Sequence, residues 1–227
     1  MKIALSFFKL SREAIEDFNL DTKQPIMQKI AMLLMFSLTT IICSSQTSVE
    51  YLESGLSKTD LGDYRGAMAD FNSAIEIDPQ FADAFFFRGA IKASLGDRRG
   101  AIADFSSAIE IDPQHVNAFF KRGFSKASLG DHRGAIADFN SAIEIDPQFA
   151  DAYSRRGISK VNLGDHRGAI ADYNRAIEID PQFADAYARR GMSKLMLDQI
   201  IGGCLDLSKA GELGNEIAYD VIRQYCN

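Results

Sequence analysis

The feature that most constrains the fold is a twenty-residue stretch that the chain repeats at intervals of 34 residues. "LGDYRGAMADFNSAIEIDPQ" begins at Leu61, and close copies begin at Leu95, Leu129 and Leu163. Self-similarity at a fixed period of roughly 20 to 50 residues is typical of stacked-repeat proteins. Because each unit of such an array contacts mainly its neighbours, the 227 residues need no single central core.

One period predicts two helices joined by a tight turn. The first runs from Ala82 to Leu95 and ends at Gly96, since glycine readily takes the left-handed conformation at a helix C-terminus. Asp97 then caps a second helix that continues to Ile111, where an Asp-Pro pair ends it. The connection is so short that the two helices must fold back antiparallel.

The spacing of small and aromatic residues predicts how the two helices touch. Gly89 on the first helix faces Ala101 and Ala108 on the second, so the backbones can approach closely. Phe85 and Phe105 fill the remaining space. A single hairpin leaves an apolar face uncovered. Only the next hairpin can bury that face, at about 25 cal/mol per Å² removed from water.

The alternation of Gly89, Ala101, Phe105, Ala108 and Pro113 on this period resembles the tetratricopeptide repeat. The resemblance implies an all-α fold, an α-solenoid of about five helix–turn–helix repeats in a right-handed superhelix with a C-terminal capping helix. It places the repeats at residues 48–81, 82–115, 116–149, 150–183 and 184–217, and the capping helix at 218–227.

The fifth repeat departs from the pattern. Asp198 replaces the turn glycine, Gly203 the close-packing alanine and Asn215 the proline. Terminal repeats are commonly atypical because they close the stack. The side chains expected to face inward from the capping helix are Val221, Ile222 and Tyr225.

Two cysteines flank the last predicted turn symmetrically. Cys204 and Cys226 each lie 11 residues from Asn215, so an antiparallel pairing brings them side by side. In an exported protein they would form a disulfide that fastens the capping helix. The alternative is a pair of buried free thiols.

The amino-terminal region differs from the repeats. Residues 1–26 are read as a prefix or as an over-extended start, because an alternative start lies at Met27. Residues 27–45 look like a signal peptide, since Ile30–Ile42 carries 13 residues without a charge, and a spanning helix needs about 20. The segment predicts an exported, periplasmic or secreted protein. An uncleaved or lipid-linked membrane anchor, or an apolar helix packed on the array, are the alternatives.

The sequence gives no support for catalysis, a metal or a cofactor. It contains no Ser-His-Asp order, glycine-rich phosphate loop or clustered metal-ligand motif, and we expect no enzyme activity. His132 and His166 occupy one variable turn position, which suits an exposed site. A net charge of −6 argues against nucleic acid, which proteins bind by neutralising phosphates with Lys and Arg.

An aspartate recurs one residue before the inward aromatic or leucine of each second helix. These aspartates are Asp70, Asp104, Asp138, Asp172 and Asp206. A structural role is preferred to acid catalysis, because the antiparallel pairing brings four of them near arginines of the first helices. The predicted partners are Arg88, Arg122, Arg156 and Arg190. Each ion pair would contribute about 1 kcal/mol or less if exposed.

The resemblance also implies a binding surface, since first helices in this family line a concave groove that holds peptide segments. The groove positions are Leu52 and Leu56, Phe86 and Ala90, Phe120 and Phe124, Ser154 and Ile158, and Ala188 and Met192. The rim positions are Asp83, Asn117, Asp151 and Asp185. One subclass clamps the terminal carboxylate of a chaperone with Lys, Asn and Arg at such positions. Those residue types are absent from the groove positions here, which argues against that partner.

An apolar groove with an acidic edge suits an apolar or amphipathic partner segment with basic flanks. Phe86 and Phe120 could instead be buried between repeats. A basic line of Lys121, Arg155 and Arg189 could bind acidic peptide or lipid headgroups, although balancing the aspartates is the preferred interpretation.

The sequence therefore predicts a non-catalytic module that binds a partner polypeptide in its groove. The alternative is a membrane-anchored structural scaffold or assembly factor of the cell envelope. Neither function involves nucleic acid, and the protein is expected to contact a membrane only if it retains the N-terminal apolar segment.

Overall fold

The computed structural model describes residues 47–226, which are helical throughout except for turns and contain no strand. The eleven helices of this range are α1 (47–60), α2 (Tyr64–Ile77), α3 (Ala82–Ser94), α4 (Arg98–Ile111), α5 (Val116–Ser128), α6 (His132–Ile145), α7 (Ala150–Asn162), α8 (His166–Ile179), α9 (Ala184–Leu195), α10 (Ile200–Glu212) and α11 (Glu216–Tyr225).

The helices form tandem pairs in two compact units that divide after Phe81. The first unit holds α1 and α2. In the second unit, α3 pairs with α4, α5 with α6, α7 with α8 and α9 with α10, and α11 packs on α10. Each second helix of this unit also contacts the next first helix, and successive first helices contact one another. This arrangement is an α-solenoid, and the predicted fold class is confirmed.

The turn within each pair follows the local signals in the sequence. Gly96 adopts a φ of 88°, and the Asp97 carboxylate accepts a hydrogen bond of 2.9 Å from the Gly100 amide. Asp63, Asp131 and Asp165 cap their helices in the same way. Asp side chains satisfy amides that have no partner in the first turn of a helix, so each repeat begins its second helix at a fixed residue.

The last turns are built differently. Asp198 takes a φ of 58°, the left-handed conformation that glycine takes in the earlier repeats. Asn215, in place of proline, caps α11 by accepting a hydrogen bond from the Ala218 amide. Asparagine and aspartate tolerate these positions because their short side chains bond to the nearby backbone.

The interior of each pair is a large side chain seated over a glycine. A Cβ at Gly89 would lie 2.9 Å from the Cε1 of Phe105, so the helices approach as closely as the sequence predicted. The same relationship joins Gly55 to Phe71, Gly123 to Phe139, Gly157 to Tyr173 and Gly191 to Leu207. Tyr173 is fully buried, and burial raises the pKa of its phenol to about 12.

A disulfide fastens α11 to α10. Cys204 and Cys226 are bonded, with their Cα atoms 5.8 Å apart. Val221 and Ile222 pack against the buried cluster around Leu207, as expected. Tyr225 is 52% exposed, and the prediction that it faces inward is wrong. Cys226 holds the inward position at this end of the helix, so the residue before it turns towards solvent.

The amino-terminal prefix 1–26 and the apolar segment 27–45 lie outside the described residues. Within the part of the chain that the structure covers, every helix is too short or too polar to cross a membrane.

Candidate functional site

The second unit presents one continuous side of its first helices, which we call the first-helix face. Four equivalent positions per helix share this side because they recur at three- and four-residue spacing. The face comprises Asp83, Phe86, Phe87 and Ala90 of α3, Asn117, Phe120, Lys121 and Phe124 of α5, Asp151, Ser154, Arg155 and Ile158 of α7, and Asp185, Ala188, Arg189 and Met192 of α9. Successive first helices are in contact, so equivalent positions form columns along the unit.

The apolar residues predicted for partner binding differ in accessibility. Phe124 and Met192 are exposed, at 41% and 39%, while Ala90 and Ile158 are half-buried. These four can present apolar surface to another chain.

Three predicted groove residues are corrected by the structure. Ser154 and Ala188 are buried, and so is Leu52 in the first unit, where Leu56 is half-buried. The small side chains of Ser154 and Ala188 lie beneath the surface of the stack. Like Leu52, they contribute to packing and do not offer their side chains to a partner.

Phe86 and Phe120 lie mostly between repeats. The Phe120 ring packs against Phe139 of the same hairpin at 5.8 Å and against Phe149, at the start of the next, at 4.7 Å. The Phe86 ring contacts Phe105 at 5.8 Å and His115 at 4.8 Å. Both rings are therefore half-buried members of the first-helix face, which also carries the exposed Phe124 and Met192.

The predicted rim residues are all exposed, and two of them have defined partners. The Asp83 carboxylate lies 3.4 Å from the Nε2 of His115. Asp185 accepts a hydrogen bond of 2.9 Å from the Asn215 side chain. Asn117 and Asp151 complete this edge.

The basic column of the first-helix face, Lys121, Arg155 and Arg189, is mostly not paired with aspartate. Arg189 lies 3.9 Å from Asp185. The Arg155 guanidinium instead lies 4.9 Å from the centre of the Phe124 ring, which belongs to the preceding repeat. The Lys121 ammonium lies 5.9 Å from the Phe120 ring. Among residues 47–226, the interpretation that the column balances aspartates therefore holds for Arg189 alone.

The recurrent aspartates form buried ion clusters inside the helix pairs. Arg122 donates from Nε and Nη2 to the two oxygens of Asp138, at 3.0 and 2.7 Å, and the Lys126 ammonium lies 2.8 Å from the same carboxylate. The sets Arg88–Asp104–Lys92, Arg156–Asp172–Lys160 and Arg190–Asp206–Lys194 repeat this arrangement. The predicted arginine pairs are present, but their aspartates are buried, and the lysine of each cluster was not anticipated.

The first unit has a simpler version of the cluster. Asp70 accepts hydrogen bonds of 2.6 Å from both Lys58 and Ser54. Ser54 occupies the position at which the other repeats have arginine. Burial acts to raise the pKa of the Asp70 carboxyl, but the bonds from Lys58 and Ser54 outweigh it and lower the pKa. The folded state therefore gains stability from this group above its unfolded pKa and loses it as the pH falls.

The arginines of the clusters also connect consecutive repeats of the second unit. Arg156 donates from Nη1 to Asn140 of the preceding second helix at 2.7 Å, and Arg190 donates to Asn174 at 2.8 Å. Arg122 makes the corresponding bond of 3.1 Å to Ser106. One polar side chain thus bridges two helices of its own pair and the helix before it.

Over residues 47–226, the acidic, histidine and cysteine side chains form no group of three or more that could hold a metal ion. His132 and His166 are half-buried rather than exposed, and the Nδ1 atom of each ring is covered by its surroundings.

Tandem antiparallel helix pairs with a continuous face of first helices define a helical-repeat protein. Sequence comparison gives the family. A model described as a TPR repeat matches residues 55–96 and 125–164, and models described as tetratricopeptide repeat match residues 82–115 and 150–183. The chain belongs to the tetratricopeptide repeat family. Curated protein sequences yield no match.

Solved structures share the fold. The crystal structure of MamA superimposes with a TM-score of 0.69 at 24% identity, over 77% of this chain and 95% of MamA. YrrB, described as a TPR protein with an unusual peptide-binding site, superimposes with a TM-score of 0.69 at 18% identity, over 78% of this chain and 92% of YrrB. PilW, described as a type IV pilus biogenesis factor, superimposes with a TM-score of 0.66 at 24% identity, over 74% of this chain and 78% of PilW. At these identities the likeness concerns the fold alone.

Proposed function

We propose that the protein is a non-catalytic interaction module that binds an apolar or amphipathic segment of a partner polypeptide on the first-helix face. Membership of the tetratricopeptide repeat family supports a role in protein–protein interaction. The observation that carries the proposal is the exposure of Phe124 and Met192 on this face, which also carries the half-buried rings of Phe86 and Phe120. Exposed apolar side chains of this kind are suited to anchoring a second chain.

A polypeptide is favoured over nucleic acid as the partner. The chain carries a net charge of −6, and exposed carboxylates at Asp83, Asp151 and Asp185 line one edge of the first-helix face. A phosphate backbone would be repelled along this edge.

We propose further that the protein acts outside the reducing cytoplasm. Two observations support this location, the uncharged segment Ile30–Ile42 in the sequence and the disulfide between Cys204 and Cys226. The alternative is a membrane-anchored scaffold of the cell envelope that retains the apolar segment. Fractionation followed by N-terminal sequencing separates the two, because a soluble chain beginning near Gln46 supports export and a membrane-bound chain that retains residues 27–45 supports the anchor.

The proposed site can be tested by capture of partners on the immobilised full-length protein. The site variant combines Phe124→Ser with Met192→Ser. The matched control combines Ile201→Ser with Leu205→Ser, which removes equally apolar side chains that are 81% and 67% exposed on the second helix α10. Mass spectrometry identifies what each form retains.

We expect the wild-type protein and the control to retain the same polypeptide and the site variant to lose it. Retention by the site variant together with loss by the control would move the binding surface to α10 and overturn the proposal. Circular dichroism of both variants shows whether the fold is kept.

A further inference from the structure

We propose that the first-helix face of the third and fourth repeats recognises an acidic side chain that stands next to an apolar one in the partner segment. This inference rests on the proposed function and assigns the charge of the partner. It replaces the basic flanks that the rim aspartates suggest from the sequence. The site consists of Lys121 and Phe124 on α5 and Arg155 and Ile158 on α7.

The first observation is the local charge of α5. The helix reads VNAFFKRGFSKAS, with three cations and no acidic residue. The Asp138 carboxylate serves both Arg122 and Lys126, so this cluster keeps an excess positive charge. Lys121 adds another on the exposed side of the helix.

The second observation is that Lys121 has no neighbouring carboxylate by sequence. The residue four positions earlier, which would face it on the helix, is Asn117. The second, fourth and fifth repeats carry aspartate at this position, as Asp83, Asp151 and Asp185. The acidic rim is therefore interrupted beside Lys121.

The third observation concerns Arg155, which does have an aspartate four residues earlier. Its guanidinium nevertheless lies over the Phe124 ring of the preceding repeat, at 4.9 Å from the ring centre. Within residues 47–226, neither Arg155 nor Lys121 has a carboxylate oxygen within 4.0 Å, whereas Arg189 does. Two cations of one column are thus without a carboxylate partner in the described part of the chain.

These positions match one ligand chemistry. A guanidinium held by an aromatic ring is partly oriented before binding, and its N–H groups can still donate to both oxygens of a carboxylate. The exposed part of Phe124 and the half-buried Ile158 offer apolar contact within the same two repeats. A segment that places Asp or Glu beside an aliphatic or aromatic residue satisfies the cations and the apolar surface together.

The test uses random-peptide display on the immobilised full-length protein. Selected peptides are synthesised as internal sequences with amidated ends, so that any carboxylate they present belongs to a side chain. Affinities are measured by fluorescence anisotropy for wild type, Arg155→Gln, Lys121→Gln and the control Arg133→Gln. Arg133 is an exposed arginine on the second helix α6, so its loss changes the net charge equally.

We expect selected peptides to be enriched in Asp or Glu next to an apolar residue. Arg155→Gln should weaken binding about tenfold, as for loss of a charge-assisted hydrogen bond, and Arg133→Gln by less than about twofold. Changing the peptide's carboxylate to the amide should remove the difference between wild type and Arg155→Gln, because both halves of the contact are then absent.

Peptides without this enrichment, or an Arg155→Gln effect no larger than that of Arg133→Gln, would overturn the inference and leave the proposed function standing. Failure to select any peptide, or selected peptides that bind the Phe124→Ser, Met192→Ser variant as tightly as wild type, would overturn the proposed function itself. Competition by vesicles of anionic phospholipid, but not by the acidic peptide, would assign the cations to a membrane surface and would also contradict the inference.

Discussion

Arg122 and Asp138 meet through two parallel hydrogen bonds inside the third helix pair, where the Asp138 side chain is only 4% exposed. An isolated surface pair contributes little, because water solvates both partners when it is broken. Here the aspartate is almost entirely excluded from water. Among the described residues, Arg122 and Lys126 alone compensate its charge. Removing either cation should therefore lower the stability more than breaking a surface pair does.

Removing one member of this cluster should destabilise the protein in a fixed order. Asp138→Asn leaves two half-buried cations without a counter-charge and should lower the free energy of unfolding by about 3–5 kcal/mol. Arg122→Met should cost less, about 2–3 kcal/mol, because Lys126 still faces the carboxylate. Denaturant unfolding followed by circular dichroism measures both.

The matched control is Lys209→Met, which breaks an exposed pair with Glu212 on α10. We expect it to cost less than about 0.5 kcal/mol. Equal losses for Arg122→Met and Lys209→Met would show that the buried cluster contributes no more than a surface pair.

The glycine beneath each large interior side chain should resist replacement. A Cβ at Gly123 would lie 2.9 Å from Phe139, so Gly123→Ala should destabilise the protein by about 1–3 kcal/mol through overpacking. Gly202→Ala on α10 is the control, since its Cβ would make only an ordinary van der Waals contact, at 3.5 Å from the Lys194 side chain. That substitution should stabilise the helix by up to about 1 kcal/mol. Thermal melting compares the two, and stabilisation by both would contradict the close approach.

The disulfide should hold the last helix in place. It closes a sequence separation of 22 residues, for which chain entropy gives a stabilisation of roughly 3 kcal/mol. Reduction, or Cys226→Ser, should therefore accelerate amide hydrogen exchange in α11 while α5 and α6 keep their protection. Alkylation of the unreduced protein followed by mass spectrometry checks the bond directly, and labelling of both Cys204 and Cys226 would contradict it.

Tyr173 should make the protein sensitive to alkaline pH. Its buried phenol has a pKa of about 12 in the folded state, against 10.0 ordinarily, so only the unfolded chain loses this proton between those values. The free energy of unfolding should then fall by up to about 1.4 kcal/mol per pH unit across this window. Tyr173→Phe should reduce that fall, because phenylalanine has no ionisable proton. The substitution should fit, since phenylalanine occupies the same site in the three preceding repeats.

The helix pairs could be predicted because their signals are local. Gly96 and Asp97 determine the turn by their own backbone preferences, and the 34-residue period applies the same result to every copy. The pairing of Arg122 with Asp138 also follows from position, because residues equally distant from an antiparallel turn lie opposite each other. Lys126 was missed because its reach to the same carboxylate depends on the side-chain path and not on register.

The candidate site was less predictable because exposure depends on the neighbouring repeat. Ser154 and Ala188 occupy the same column as Phe86 and Phe120, yet their small side chains lie below the surface. The contact of Arg155 with Phe124 joins residues 31 positions apart, and no pattern within one repeat reveals it. The sequence showed the column of cations at a 34-residue spacing. It did not show which of these cations would lack a neighbouring carboxylate.

Arg122, Arg156 and Arg190 each donate a hydrogen bond to the second helix of the preceding repeat, and the repetition of this contact allows whole repeats to be exchanged. Arg156 reaches Asn140 and Arg190 reaches Asn174, and the two contacts are chemically the same. Deletion of residues 150–183 would place Arg190 next to Asn140 and restore an equivalent hydrogen bond. No hydrogen-bonding group would lack its partner at the new junction. A chain built this way can lose or gain whole 34-residue periods and keep this contact between neighbouring repeats.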